Sequence, residues 1–562
     1  MSDYTSGQIT FAGLGNGTDF DTLIEGLVDV ERQHINRLES WKADWELKVE
    51  KFQDLNSQML SLKTTLQGMD SINEFLTKTA TSNNTGYLTA SADSDAIENS
   101  HTVSINQLAQ NDILLTASGT SSIKNSIFTA TSNFSFSYGG EKITLSNISA
   151  GTTMGGFSDI SDRHALANGR VRASYINGGD AYDRQLYGMD LGADNQLVLS
   201  NTGSMVFSAG DFGETQNAQN SQIKVDGFPS AASPNWIERS SNTITDVIDG
   251  LTLNLKEATG GGTVKVTVDT DYEAVKENVR TFVDQVNEVR KIIKDLTDVD
   301  ATNGEGSVLT GNYGVQMISQ NLKNITASKG IGFEWYNDSG GVITGDLITS
   351  LSQLGITTDA EEGSPTAGML VLDEDVLDTA LKDDPNAAAE LFAANYVGES
   401  RSPDFTYLSH IDGTTKGGTY DVQVVTDGSG IASATINGHA AKVSGWEITG
   451  MAGYPEAGLA FRLDNHTLNT TFEGQMSIKV GKTVEMVDEL KRLTSTTDGP
   501  LKILEDNYED IMDSIDDKII YEENRIELME QRLRERFARL DTMLGYYDQL
   551  SNQLANQLAQ LE

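Results

Sequence analysis

The residue types that could do covalent or metal chemistry are sparse and scattered in this chain. Cysteine is absent, which removes disulfides, thiolate metal sites and thiol nucleophiles. The six histidines, at 34, 101, 164, 410, 439 and 466, show neither an HExxH pattern nor any other metal-ligand spacing. There is no Walker loop and no Gly-x-Ser-x-Gly elbow. Gly13-x-Gly15 after Ile9-Thr10-Phe11 hints at a dinucleotide loop, but the third glycine should fall at 18, which is Thr18, and a long helical pattern follows with no second strand. Asp298-x-Asp300-x-Thr302-Asn303-Gly304-Glu305 approaches a calcium loop, with the glycine one place late and Leu309 where the twelfth-position Glu belongs; a turn is expected. With 82 Asp and Glu, carboxylate pairs arise by chance. The composition therefore predicts no enzyme, no cofactor and no metal. A formal net charge of −42 repels phosphates and excludes nucleic acid as a partner.

What the chain does carry is periodicity. Past Pro500, Leu504, Tyr508, Ile511, Ile515 and Ile519 recur at steps of three and four, and so do Ile526, Met529, Leu533, Phe537, Leu540, Leu544, Tyr547, Leu554 and Leu558. This is a narrow coiled-coil stripe, with Glu and Arg on the remaining faces, and at 1.5 Å per residue it extends to about 90 Å. It cannot bury its stripe alone. The matching stripe lies at the other end of the chain: Ile24, Leu27, Leu38, Trp41, Trp45, Phe52, Leu55, Met59, Leu62, Leu66 and Met69. The termini are expected to pair as a leg along a seam of Leu38, Trp41, Trp45, Phe52, Leu55, Met59 and Leu62 with Ile526, Leu533, Phe537, Leu540, Leu544, Tyr547, Leu554 and Leu558. The fold class is α+β and multidomain, with β-rich head domains inserted between the terminal helices.

The order along the chain gives eight segments. Residues 1–40 are a flexible arm and helix start, with Thr18 or Asp19 as N-cap and a break expected near Gln33–Asn36; 41–79 are the leg helix. Residues 80–115 open a head domain in which His101 to Leu108 alternate as a strand. Residues 116–213 are an inserted β-rich outer domain. Residues 214–270 complete the head, with turns at Asp226-Gly227 and Gly260–Gly262 and one helical turn expected at Thr243 to Ile248. Residues 271–397 are a helical leg segment in which Asp373 caps a helix. Residues 398–480 return to alternating strands as a further β insertion, and 481–562 form the tail helix from near Thr483. The opening residues lack a basic n-region and an apolar h-region, and no run is long and apolar enough to span a membrane, so a cleaved signal and a membrane span are not expected.

Specific runs resemble the flagellar hook-associated protein 2 (filament cap) family. They are Phe11-Ala12-Gly13-Leu14-Gly15-Asn16-Gly17 through Glu31, Ser104-Ile105-Asn106-Gln107-Leu108-Ala109-Gln110, Arg239 to Leu253, Phe282-Val283-Asp284-Gln285-Val286-Asn287, and Leu354 to Asp359 with Leu372-Asp373-Glu374 through Leu391-Phe392. The resemblance leaves 398–480 outside it and covers 116–213 only loosely. It implies a ring-shaped homo-oligomer, a pentamer in the family, at the distal, extracellular tip of a flagellum, where it promotes folding and polymerisation of exported flagellin and prevents its leakage. It also implies the flagellar type III export machinery and an export chaperone as partners. Two other readings stay open: another axial protein of flagellin or hook–filament junction type, and an adhesin contacting host glycans through its β domains.

Overall fold

The computed structural model describes residues 20–163, 170–230, 232–299, 304–339, 342–361 and 363–559. The glycine-rich opening, Thr18 and Asp19, His164 and the centre of the calcium-like loop lie outside them. The helices are α1 Phe20–Gln67, α2 Ile72–Phe75, α3 Met154–Arg163, α4 Tyr272–Thr297, α5 Tyr313–Ala327, α6 Glu374–Asp383, α7 Pro385–Ala393, α8 Lys482–Leu493 and α9 Pro500–Ala559. The chain divides into two compact units, Asn73–Glu277 on one side and the residues to Ile72 with those from Asn278 on the other.

In the first of these, Lys78–Ser82, Val264–Thr270, Asn99–Gln107, Ser221–Val225 and Ile237–Arg239 form an antiparallel five-stranded sheet in that order. Thr243–Ile248, Leu251–Leu255 and Leu88–Ala92 form a three-stranded one. Inward residues of both, among them Val103, Ile105, Leu253 and Val266, share one core. Val264–Thr270 is buried at every second residue, as a strand with one covered face requires. Asp226 and Gly227 both adopt positive φ, 48° and 77°, the conformation of a two-residue hairpin turn. Thr243–Ile248 is a strand, not a helical turn. Its β-branched residues suit the extended state, and it pairs with Leu251–Leu255 across Asp249-Gly250.

Ile113–Thr116 and Phe212–Gln216 lie side by side in a four-stranded sheet with Tyr182–Gly188 and Val171–Asn177. The outer β domain therefore leaves and returns through adjacent strands. Its own core holds Phe128, Phe134, Phe136, Tyr138 and Phe157.

The other unit joins helices to a second β domain. Asp373 caps α6, its carboxylate accepting from the amides of Asp375 and Val376. Asp384 caps α7, whose first residue is Pro385. Val397–Ser400, Thr471–Lys479, Gly418–Thr426, Ile431–Ile436 and His439–Ala440 form one sheet, and Phe405–Ser409, Ala460–Leu463, Glu447–Thr449 and Lys442–Ser444 a second. Val422, Val424, Phe461 and Met476 lie in the core of this domain. α1 runs through Gln33–Asn36 without a break. The tail, expected as one helix, is two: α8 ends at Leu493, and a turn containing Gly499 precedes α9.

Candidate assembly surface

α1 and α9 pair antiparallel, and cross-helix contacts fix their register from Phe20 to Gln53 on α1 and from Phe537 back to Glu505 on α9. Phe20 stacks on Phe537 with ring centroids 5.2 Å apart. Arg534 reaches Asp21 at 3.1 Å, and Arg525 reaches Glu31 at 2.6 Å. Lys42 donates to Asp516 at 2.7 Å, and that hydrogen bond holds the ammonium above the usual lysine range. Trp45 and Phe52 both contact the ring of Tyr508, at 4.9 and 5.4 Å, and Gln53 donates to Glu505 at 2.7 Å.

The seam these contacts define divides the expected residues. Leu38, Phe52, Leu55, Met59 and Leu62 are buried on α1, and Ile526 is buried on α9. Leu533 and Phe537 are half-buried against Ile24, Val28 and Ile35. Trp45 is half-buried, whereas Trp41 is exposed. Leu540, Tyr547, Leu554 and Leu558 are exposed and Leu544 is half-buried. Phe537 faces Phe20, the first described residue of α1, so no described residue of α1 stands beside α9 beyond it. The expected seam did not include Phe20, Val28 and Ile35, nor Ile24 although it begins the α1 stripe; their spacing of four, four and seven continues that stripe. The charged pairs across the helices could be found only once the register was known.

The upper leg is a helical bundle. α1 from Phe52 to Leu66, and Met69 just after it, are completely or almost completely buried along the inner stripe, and Thr483 of α8 donates its hydroxyl to the carbonyl of Phe392 at 2.6 Å and to that of Met69 at 3.3 Å. Lys482 is buried, its ammonium donating to Ser328 Oγ, the Lys329 carbonyl and Glu485. Burial pulls this lysine down and pushes Glu485 up, and each opposes the shift of the other.

The base of the second β domain is clasped to the helices by charge. Lys479, almost fully buried, donates to Asp346 at 2.8 Å, Glu390 at 2.9 Å and Glu399 at 2.7 Å. Burial opposes its charge, but the bonds to Asp346, Glu399 and Glu390 outweigh burial and hold it above the lysine range. Burial also opposes the charge of Asp346, and its bonds from Lys479, the Glu334 amide and Arg401 hold it below the carboxylate range. Arg401 donates to Asp346 at 2.7 Å and to Ser477 Oγ at 2.7 Å.

Among the described residues, no group of three or more His, Asp or Glu is arranged to hold a metal ion, and no helix is long and apolar enough to cross a membrane. His101 meets Asp226 at 2.7 Å, His410 meets Tyr407 at 2.6 Å and His439 meets Glu456 at 2.7 Å. His410 also meets Asp412 at 2.9 Å through Nε2, and the three histidines stand in separate local contacts.

Comparison with known proteins agrees with this architecture. The family descriptions "Flagellar hook-associated protein 2 N-terminus" and "Flagellar hook-associated protein 2 C-terminus" match residues 16–112 and 218–549. The gap between them holds the outer β domain, while the C-terminal match runs across 398–480. Flagellar hook-associated protein 2 of Escherichia coli K12 is 25% identical over 418 residues, 71% of this chain and 82% of its own. The A-type protein of Pseudomonas aeruginosa is 24% identical over 419 residues, 69% and 80%. The crystal structure of the D1-D2-D3 domains of the flagellar cap protein FliD from Escherichia coli is similar in fold, with a TM-score of 0.50 at 23% identity, covering 82% of this chain and 99% of that one. From the terminal leg through the inner head and the helical segment to the tail, the chain belongs to the flagellar hook-associated protein 2 family, the flagellar cap proteins.

Proposed function

We propose that this protein assembles as a closed homo-oligomeric ring at the distal tip of a flagellar filament, where it holds back exported flagellin until each subunit folds and joins the lattice. Family membership supports the cap role. The observation that carries the assembly role is the exposed stripe at the end of α9: past the last contact with a described residue of α1, Leu540, Met543, Tyr547, Leu554 and Leu558 are exposed. Such a stripe is stable in water only with a partner helix, and a filament built of helical subunits offers many. The flagellar export route and an export chaperone are the remaining proposed partners, and the outside of the cell is the proposed location. The eight-segment division proposed from the sequence gives this ring legs from 1–79, 271–397 and 481–562 and heads from the rest.

The test is complementation of a strain lacking its own cap. Supplying this chain with its cognate flagellin is expected to restore filaments and to remove monomeric flagellin from the medium. Normal filaments without the chain, or continued leakage with it, would refute the reading.

A further inference from the structure

The α1–α9 leg has two unlike sides. On α1, Leu23, Leu27, Val30 and Trp41 follow one another at steps of three, four and eleven, and all are exposed, Val30 at 61%. They lie about 100° away from the seam stripe of Ile24, Val28 and Ile35. On α9, Tyr521 and Leu528, exposed at 67% and 54%, stand on a second stripe with Arg525, Arg532, Arg536 and Arg539, about 120° from Ile526, Met529 and Leu533. Because the helices are antiparallel, these two offsets of the same sign bring both stripes to one side of the pair. A direct contact confirms it: the Lys518 ammonium sits 5.8 Å from the centroid of the Trp41 ring. This front is apolar and basic on a chain whose formal net charge is −42.

The back of the same leg is acidic. Glu25, Asp29 and Glu39 on α1 and Glu509, Asp513, Glu523 and Glu527 on α9 are exposed there, interrupted on α1 by Arg32 and on α9 by the half-buried Arg534, whose charge is taken up by Asp21 and Glu530. Around the level at which Arg532 and Arg536 stand on the front, Glu25 and Asp29 stand on the back. That level follows from the register set by Phe20–Phe537 and Arg525–Glu31.

We infer that front and back are complementary surfaces and that they meet between neighbouring copies of this chain, the apolar–arginine front of one leg lying on the acidic back of the next. Front-to-front docking would set arginine against arginine and is disfavoured. Front-to-back docking is heterologous, and a heterologous contact gives a ring when its rotation closes and an open helical filament when it does not; the ring proposed above requires the closing case. This rests on the ring proposed above and adds the surface that joins its legs.

The experiment uses the full chain, with assembly followed by sedimentation velocity and folding by circular dichroism. Arg532→Glu with Arg536→Glu, and separately Glu25→Arg with Asp29→Arg, are each expected to raise the concentration for half-assembly about tenfold or more with helix content unchanged. Placing all four changes in one chain restores the opposite-charge contact and is expected to recover assembly. Rings from the wild type and from both pairs of variants alike would overturn the leg contact and leave the ring standing. A wild type that stays monomeric at every concentration would overturn the ring and this contact with it. Variants that assemble normally but no longer retain flagellin would assign the front to that partner, not to a second copy.

Discussion

Lys479 carries the junction between the second β domain and the helices. One ammonium, almost out of reach of water, is shared by Asp346, Glu390 and Glu399, and removing it leaves carboxylates facing each other with Arg401 alone to answer them. Lys479→Met is expected to lower stability in urea by on the order of 3 kcal/mol. The pH dependence follows from the two shifts. Asp346 is held low, so its contribution is present above the unfolded carboxylate value of about 3.9 and is lost as pH falls through the lower folded value. Lys479 is held high, so its contribution is present below about 10.4 and is lost only as pH rises beyond that. Between those limits the wild type should hold both, and below about pH 4 it should lose stability. The variant should show a shallower loss on acidification, because its Asp346 no longer has the ammonium to lose. Equal acid limbs for the two proteins would show that the cluster is not electrostatically coupled.

At the scale of elements, the pairing of α1 and α9 makes a graded prediction. Ile526 is buried in the seam and Leu540 is exposed beyond it. Ile526→Asp removes about 1.5–3 kcal/mol of apolar burial and places a charge in the apolar cluster it shares with Val28 and Ile35. It should open the lower leg, seen as rapid amide exchange over residues 20–38 with the β domains still protected. Leu540→Asp should change the stability of the free chain by no more than about 0.5 kcal/mol and yet abolish swimming, because its stripe is covered only in the assembly. Comparable exchange in both variants would contradict the seam.

The second β domain makes a prediction of the same kind. Val397 pairs with Lys479 and Gly398 with Ile478, so its ends are adjacent. Deleting 396–480 would strip Lys479 from Asp346 and Val480 from its bridge to Ile331. Deleting Glu399–Ser477 instead, and closing Gly398 to Ile478 with Asn-Gly, keeps both and should leave a soluble chain that still assembles. Loss of assembly in that deletion would place the domain within the assembly interface.

These elements differ in how far the sequence disclosed them. The stripes on both terminal helices were legible because a seam must repeat every three or four residues whatever it faces. The Asp226-Gly227 turn was legible because few residue pairs accept two positive φ angles. The lower end of the seam was not legible: repeat spacing says which face is apolar, not which part of it a neighbour covers, and no described residue of α1 stands opposite Leu540 to Leu558. Trp41 and Leu540 satisfy the same spacing as Phe52 and Ile526. Thr243–Ile248 was misread because six residues are too few for either period to decide, and the pairing with Leu251–Leu255 decides it. The Lys479 cluster left no local mark, since Asp346, Glu390 and Glu399 are distant in sequence and are joined only by the fold.

Among the described residues the chain consists of a leg of paired terminal helices and β insertions whose ends lie side by side, a plan that suits the proposed place among helical subunits. The claim that matters most is its place. We expect gold label directed against the outer β domain, residues 116–213, to mark each filament once, at its distal end, in electron micrographs of complemented cells. Label spread along the shaft, or confined to the junction with the hook, would contradict the cap and assign the chain to another position on the flagellar axis.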